Sequence, residues 1–234
     1  MSKMVVILAG GLATRLRPIT ETIPKAMVRV AGKPFIQHQI ELLKRNGLKR
    51  FVICVGYLGE QIEEFLGNGS ELEVSVQYSY DGPELLGTGG ALRKAAGLLD
   101  DTFFVLYGDS YLDIDYQAVG DYFHGHSARG LMTVYHNAGK WDKSNVVFAG
   151  GLVTKYDKYS PTLDMEYIDY GLGILRKEVL EAIQANEVYD LANLYRTLAE
   201  SKQLLGYEVD QRFYEIGSYK GLGELANYLT RGGG

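Results

Sequence analysis

Residues 4–27 read MVVILAGGLATRLRPITETIPKAM. The opening six are continuously apolar and rich in β-branched side chains, the pattern of a strand covered on both faces. Gly10 and Gly11 end that run, and Arg15, Arg17 and Lys25 follow in a stretch with neither helical nor strand period. The chain carrying these cations has a formal net charge of −5. A glycine turn with neighbouring cations suits phosphate: backbone N–H groups without side chains approach oxygen closely, and the cations neutralise its charge. The same glycines could simply turn the chain, and spacing alone leaves the two readings even.

Outward from this stretch the pattern alternates. FIQHQIELLKRNG (35–47) is an amphipathic helix closed by Gly47, and RFVICVG (50–56) a second buried strand. GEQIEEFLG (59–67) is a short helix, LEVSVQYS (72–79) a more exposed strand, and TGGALRKAAGLL (88–99) a helix with Thr88 as its expected N-cap. TFFVLYGDS (102–110) is a strand ending in Gly108-Asp109. Strands alternating with helices imply right-handed crossovers and a parallel sheet. The second half changes: RGLMTVYH (129–136), SNVVFAGGLVTKYDK (144–158) and MEYIDYGLGILRK (165–177) are strands with few helices between them. KEVLEAIQAN (177–186) and DLANLYRTLAES (190–201) read as helices, LLGYEV (204–209) as a strand and GLGELANYLTR (221–231) as a last helix. The expected fold is α/β, a Rossmann-like open sheet, mixed but mainly parallel, flanked by helices in one domain over 1–231, with 232–234 a frayed tail.

Composition narrows the function. Hydrophobic residues make up 46% and charged residues 23%, as in an ordinary soluble globular protein. No apolar run reaches bilayer length and no signal-peptide pattern opens the chain, so a cytoplasmic protein without a membrane partner is expected. Mild acidity disfavours nucleic acid as a partner. The one short basic cluster, LLKRNGLKR, reads as a helix C-terminus. Cys54, the single cysteine, reads as core filler, and His38, His124, His126 and His136 show no metal spacing.

In an open parallel sheet, ligands bind beyond the carboxyl ends of the strands. Gly10-Gly11, Gly87 to Gly90 and Gly108-Asp109 should therefore share one edge. Two familiar phosphate cradles are ruled out: G-x-x-x-x-G-K-[ST] occurs nowhere, and G-x-G-x-x-G fails after the first strand. LAGGLATRLRPITETIPKAM instead closely resembles the signature of sugar-1-phosphate nucleotidyltransferases, roughly L-A-G-G-x-x-T-R-L-x-P-x-T-x-x-x-P-K. The resemblance continues through AGKPFIQHQIELL, ELLGTGGAL, YGDSYLD, YIDYGLGIL and FYEIGSYKGLGEL, spanning essentially the whole chain. LGTGGAL is most similar to the enzymes that guanylylate heptose 1-phosphate, with mannose-1-phosphate guanylyltransferases next.

The resemblance implies the fold of nucleotide-diphospho-sugar transferases. It implies a reaction in which a nucleoside triphosphate and a sugar 1-phosphate give a nucleotide sugar and pyrophosphate, with Mg²⁺ as cofactor. Arg15 and Lys25 would clamp phosphates and carry the catalysis. Leu8, Ala9, Gly10, Gly11, Thr14, Gly56, Glu84, Gly87, Thr88, Gly89 and Gly108 would bind the nucleotide. Asp109 and Glu215 would hold the metal, and Lys158, Asp169, Tyr170 and Gly171 the sugar phosphate. A homo-oligomer is compatible with this reading. The incoming nucleophile is already an anion, so positioning and cationic clamping supply the rate, not a general base.

Departures from the family pattern leave some points open. Glu215 stands where relatives have aspartate, and Tyr219 where they have proline. Lys158 competes with Lys155 for the sugar phosphate. GTP with D-glycero-D-manno-heptose 1-phosphate or mannose 1-phosphate is the favoured pair. UTP with N-acetylmuramate or glucose 1-phosphate, a CTP or dTTP enzyme, and a non-catalytic sugar-nucleotide sensor are the rivals.

Overall fold

The computed structural model describes residues 4–137, 139–141 and 143–232. The expected tail is described only at Gly232; residues 233 and 234 lie outside the described residues. The first half runs β1 (Met4–Leu8), β2 (Arg29–Val30), β3 (Lys33–Pro34), α1 (Phe35–Arg45), β4 (Arg50–Val55), α2 (Gly59–Leu66), β5 (Ser75–Tyr80), α3 (Gly87–Ala95) and β6 (Thr102–Tyr107). Then come β7 (Ser110–Tyr111), α4 (Tyr116–His124), β8 (Gly130–His136), β9 (Val146–Ala149), β10 (Leu152–Tyr156) and β11 (Tyr167–Arg176). The chain closes with α5 (Leu191–Glu200), β12 (Leu204–Val209), β13 (Tyr214–Glu215) and α6 (Tyr219–Thr230).

Nine strands form the main sheet in the order β5-β4-β1-β6-β11-β8-β12-β10-β9. From β5 to β6 every pairing is parallel, as the alternating first half requires. β11 then enters antiparallel between β6 and β8, and only the β8–β12 pair is parallel beyond it. The sheet is therefore mixed, and "mainly parallel" holds for the first half alone. The physical reason lies in the connections: 150–151 is a two-glycine hairpin, which can join only antiparallel strands. β9 also pairs with β11 at Tyr167–Val146, curling that end of the sheet.

Past the polar first residues Arg50 and Thr102, strands β1, β4 and β6 run apolar because both faces are covered. Met4, Val6, Val52, Cys54, Phe103 and Val105 meet a core that includes α3 and α5. Val5, Ile7, Phe51, Ile53, Phe104 and Leu106 meet one that includes α1, α2 and α4. Each fully buried side chain of this size contributes roughly 1.5–3 kcal/mol. Cys54 is 1% exposed, and burial pushes its thiol pKa well up, so core filler is the correct reading.

Two helix expectations are corrected. Thr88 does not cap α3, which starts at Gly87 with no side-chain cap; its hydroxyl instead accepts the Leu191 N–H at 2.9 Å. Lys177–Ala182 is a 3₁₀ helix, not α. The backbone is extended again at Ile183, and Val179, Leu180 and Ile183 are all buried. Its two turns bring Leu180 and Ile183, three apart, onto one side, and Val179 beside Leu180 joins the same core.

Candidate functional site

β1 lies between β4 and β6, so the connection from β1 to β4 and the one from β5 to β6 run in opposite directions along the sheet. The crevice beyond the carboxyl ends at such a point is where α/β sheets take ligands. A cavity of about 240 Å³ opens there, lined by Gly10, Gly11, Lys25, Thr88, Gly108 and Asp109 among others. The three glycine turns thus meet as expected. Two glycines allow the approach. A side chain at Gly108 would meet the Leu8 carbonyl oxygen at 2.4 Å, and one at Gly56 would meet the Gly10 oxygen at 2.7 Å. Gly56 therefore supports the Gly10 turn from behind and does not line the cavity. Gly11 has open space where a side chain would stand, which leaves room for an oxygen to approach its backbone.

Three short 3₁₀ turns, Thr14–Leu16, Ile19–Glu21 and Lys25–Met27, carry the signature segment. Their carbonyls are held from several sides: Thr20 donates to Ala13 O at 2.8 Å, Tyr57 to Glu21 O at 2.9 Å and Gln61 to Thr22 O at 2.9 Å. Tyr219 donates to Arg17 O at 3.2 Å, a contact that a proline there could not make. Lys25 Nζ donates to Asp109 Oδ2 at 2.7 Å, with both side chains partly buried. Arg15 Nη2, Lys25 Nζ and Glu215 Oε2 all come within 3.4 Å of the point where a Gly217 side chain would begin.

Asp109 ends the β6 turn, and the β7–β13 ladder sets Glu215 opposite Ser110, one residue on. Backbone placement thus brings both expected metal carboxylates together. The Glu215 side chain is nevertheless engaged locally: Ser218 Oγ donates to Oε1 at 2.6 Å, and the Gly217 N–H donates to Oε2. Its carboxylate ties down the entry to α6, leaving Asp109 as the freer oxygen donor. Among the described residues no group of three or more His, Cys, Asp and Glu is arranged to hold a metal. Magnesium takes one or two carboxylates and fills its remaining positions with phosphate oxygens and water. Asp109 fits that requirement, and the ammonium of Lys25 already shows that a positive charge is favoured at its oxygen.

Beside this cavity, the β11–β8 register shifts between Asp169 and Gly173, and Gly171 has φ +101°. The Gly171 N–H donates to Asp169 Oδ1 at 3.0 Å, and Asp169 N–H donates to Asn145 Oδ1 at 3.0 Å. Burial pushes the Asp169 carboxyl up to about 6 against the opposing effects of the Gly171 N–H, the Tyr156 hydroxyl and the Lys158 charge. Tyr170 is a correction. It packs with Tyr135 and Phe213 in the core on the other face, because neighbouring strand residues point in opposite directions. Lys158 reaches Asp190 Oδ2 at 3.1 Å, whereas Lys155 turns to Thr162 at 2.8 Å and Asp164 at 3.7 Å.

The remaining nucleotide positions divide. Leu8, Ala9 and Gly87 line the cavity. Thr14 and Glu84 are exposed outside its lining, and Gly89 is turned against Tyr189, whose carbonyl accepts the Gly89 N–H at 2.8 Å. Sequence reading missed Asp81, a cavity-lining carboxylate only 6% exposed that accepts the Leu86 N–H at 3.1 Å. Burial raises its pKa. A usable signal existed, since Asp81 directly follows β5 at the same carboxyl edge as the other turns.

A glycine-lined cleft with a lysine and an aspartate at the switch point of a mixed sheet defines an α/β protein of the nucleotide-diphospho-sugar transferase fold. HddC from Yersinia pseudotuberculosis complexed with GMP-PN has that fold, at TM-score 0.78 and 24% identity over 97% of this chain and 99% of that one. UDP-glucose pyrophosphorylase from Acinetobacter baumanii aligns at TM-score 0.79 and 17% identity over 99% and 95%. Residues 4–145 match the sequence profile described as Nucleotidyl transferase, and the chain belongs to that family.

Among curated relatives, the chain is 31% identical over 240 residues to a mannose-1-phosphate guanyltransferase of Candida albicans, covering 96% of this chain and 64% of that protein. It is 30% identical over 217 residues to a UTP–glucose-1-phosphate uridylyltransferase of Synechocystis sp., covering 83% and 55%. A glucose-1-phosphate cytidylyltransferase of Salmonella typhimurium is 28% identical over 225 residues, covering 87% and 86%. The chain thus spans 55% to 64% of the length of the first two. No helix among the described residues is long and apolar enough to cross a membrane.

Proposed function

We propose that this chain transfers a nucleoside monophosphate unit from a nucleoside triphosphate to a sugar 1-phosphate, releasing pyrophosphate. The observation that carries this reading is the convergence of the Gly10-Gly11 turn, Lys25 and Asp109 on one cavity, with Arg15 close by at Gly217. A sugar-phosphate oxygen attacks the α-phosphorus, the bond to the bridging oxygen breaks, and its electron pair leaves with pyrophosphate. The Gly10-Gly11 turn orients the triphosphate, Arg15 binds its terminal phosphates, and Lys25 steadies the charge at the α-phosphate. A unit charge pair about 4 Å apart is worth roughly 4 kcal/mol at an effective dielectric near 20, so two cations in place are enough to matter. Asp109 is the residue that would hold a magnesium ion, whose chemistry there is neutralisation of phosphate charge.

We assign the base as guanine. Asp81 accepts the Leu86 N–H with one carboxylate oxygen, and we assign the other to the base. Guanine offers two adjacent donors, N1–H and N2–H, to such an acceptor, whereas uracil offers one donor between two carbonyls. The guanyl relative supports this choice, and the sugar we favour is a heptose or mannose 1-phosphate, with Asp169 accepting from its hydroxyls. Four triphosphates crossed with hexose and heptose 1-phosphates, read by pyrophosphate release, test both parts. GTP should lead. Equal release with UTP would overturn the base assignment, and nucleotide binding without release would favour a sensor.

A further inference from the structure

Asp190 belongs to none of the motifs above, yet its carboxylate joins three separate segments. Oδ1 accepts the Ala192 N–H at 2.9 Å, capping α5, and the Thr88 hydroxyl at 3.2 Å, beside the nucleotide cavity. Oδ2 accepts Lys158 Nζ at 3.1 Å and the Tyr159 hydroxyl at 2.6 Å, on the turn after β10. That turn is itself organised by Asp157, which accepts the Tyr159 and Ser160 N–H groups at 2.8 Å each and pairs with Arg196 at 3.2 Å. Burial pushes the Asp190 carboxyl up, but the donors from Tyr159, Ala192 and Lys158 outweigh it and hold the pKa at about 2. The carboxylate is therefore charged wherever the protein works.

We propose that Asp190 is a positioning residue that fixes the Lys158 ammonium at the sugar side of the cleft, with the Thr88 hydroxyl anchoring Asp190 itself. The inference rests on the function proposed above. Lys158 is about half exposed, and an unrestrained lysine stem samples many rotamers. Its charge also acts on Asp169, so the ammonium lies within electrostatic reach of that carboxylate as well as in contact with Asp190. Held there, it can meet an incoming phosphate without first being ordered. An isolated N-cap would need only Oδ1. The pair of donors on Oδ2 is what a cap does not explain.

Asp190→Ala would remove the cap and could simply loosen α5, so the informative variant is Asp190→Asn. Asparagine caps as well as aspartate but lacks the charge that holds Lys158. With the substrate pair found in the panel above, D190N should raise the KM for the sugar 1-phosphate about tenfold, the scale of a lost charged hydrogen bond. The KM for the triphosphate should move less than twofold and the melting temperature should hold. Lys158→Met should raise the same KM, and D190N/K158M should be no worse than K158M alone.

Parental or tighter sugar-phosphate binding by D190N, a rise in both KM values together with a lower melting temperature, or multiplicative effects in the double variant would each overturn the inference. So would a K158M variant with parental KM, and that result would leave the transferase reading standing. Absence of pyrophosphate release by the unsubstituted protein with every pair would instead overturn the function itself, and this inference with it.

Discussion

At Asp109 and Arg15 a single side chain separates the transferase reading from a merely similar fold. Asp109→Ala and Arg15→Ala should each lower turnover by two or more orders of magnitude, as loss of a phosphate-charge stabiliser does, with an unchanged circular dichroism spectrum. Asp169 gives a pH prediction with a definite sign. Its folded value of about 6 lies above the ordinary 3.8, so the unfolded chain loses this proton first as pH rises. The contribution to stability is present below about 4 and is lost by about 6, and the charged form, which the proposed contact with sugar hydroxyls needs, prevails only above 6. The KM for sugar 1-phosphate should therefore rise as pH falls through 6. Asp169→Asn keeps the substrate's own phosphate titration and removes the protein's share, so a flatter profile in that variant checks the assignment. Residues inside the contiguous signature, such as Lys25 and Gly11, were legible because one stretch carries them all. Asp81 offered only its position directly after β5, and Asp190 offered nothing, since no spacing announces side chains that meet only after folding. Tyr170 was misplaced because strand periodicity gives the two faces without saying which one meets the sugar.

Among elements, the β6 turn and α6 are the most exposed to test. Gly108→Ala would drive a methyl group to 2.4 Å from a β1 carbonyl, so one strand of the central parallel run must shift. A loss of more than about 2 kcal/mol in urea unfolding is expected. Ser218 accepts the Gly221 N–H at 3.0 Å as the α6 cap and also donates to Glu215. Ser218→Ala should cost about 1 kcal/mol from the cap, a fall of roughly 2–4 °C in melting temperature by scanning calorimetry. Element type was readable wherever a hydrophobic period ran long, as in α1 and β4. Lys177–Ala182 defied reading because a short apolar cluster fits two 3₁₀ turns as well as the start of an α-helix.

For the whole molecule, the cavity is lined by residues between 8 and 109, and the second half of the chain is tied to it by Asp190 on Thr88 and by the β13 ladder beside Asp109. A triphosphate that binds the folded state alone should therefore stabilise all of it. At a hundred times its dissociation constant the gain is about 2.7 kcal/mol, or roughly 5–10 °C in melting temperature for a chain of this size. The right base should be recognisable as the one giving the largest shift. The lone thiol offers a reporter on the same opening. Cys54 forms part of the cavity wall while its sulfur is sealed beneath α3, 3.7 Å from the Ala91 carbonyl. A thiol reagent can modify the chain at one position only, and only when the floor beneath the glycine turns parts from the helix above. Labelling kinetics thus read the breathing of that seam without any engineered probe.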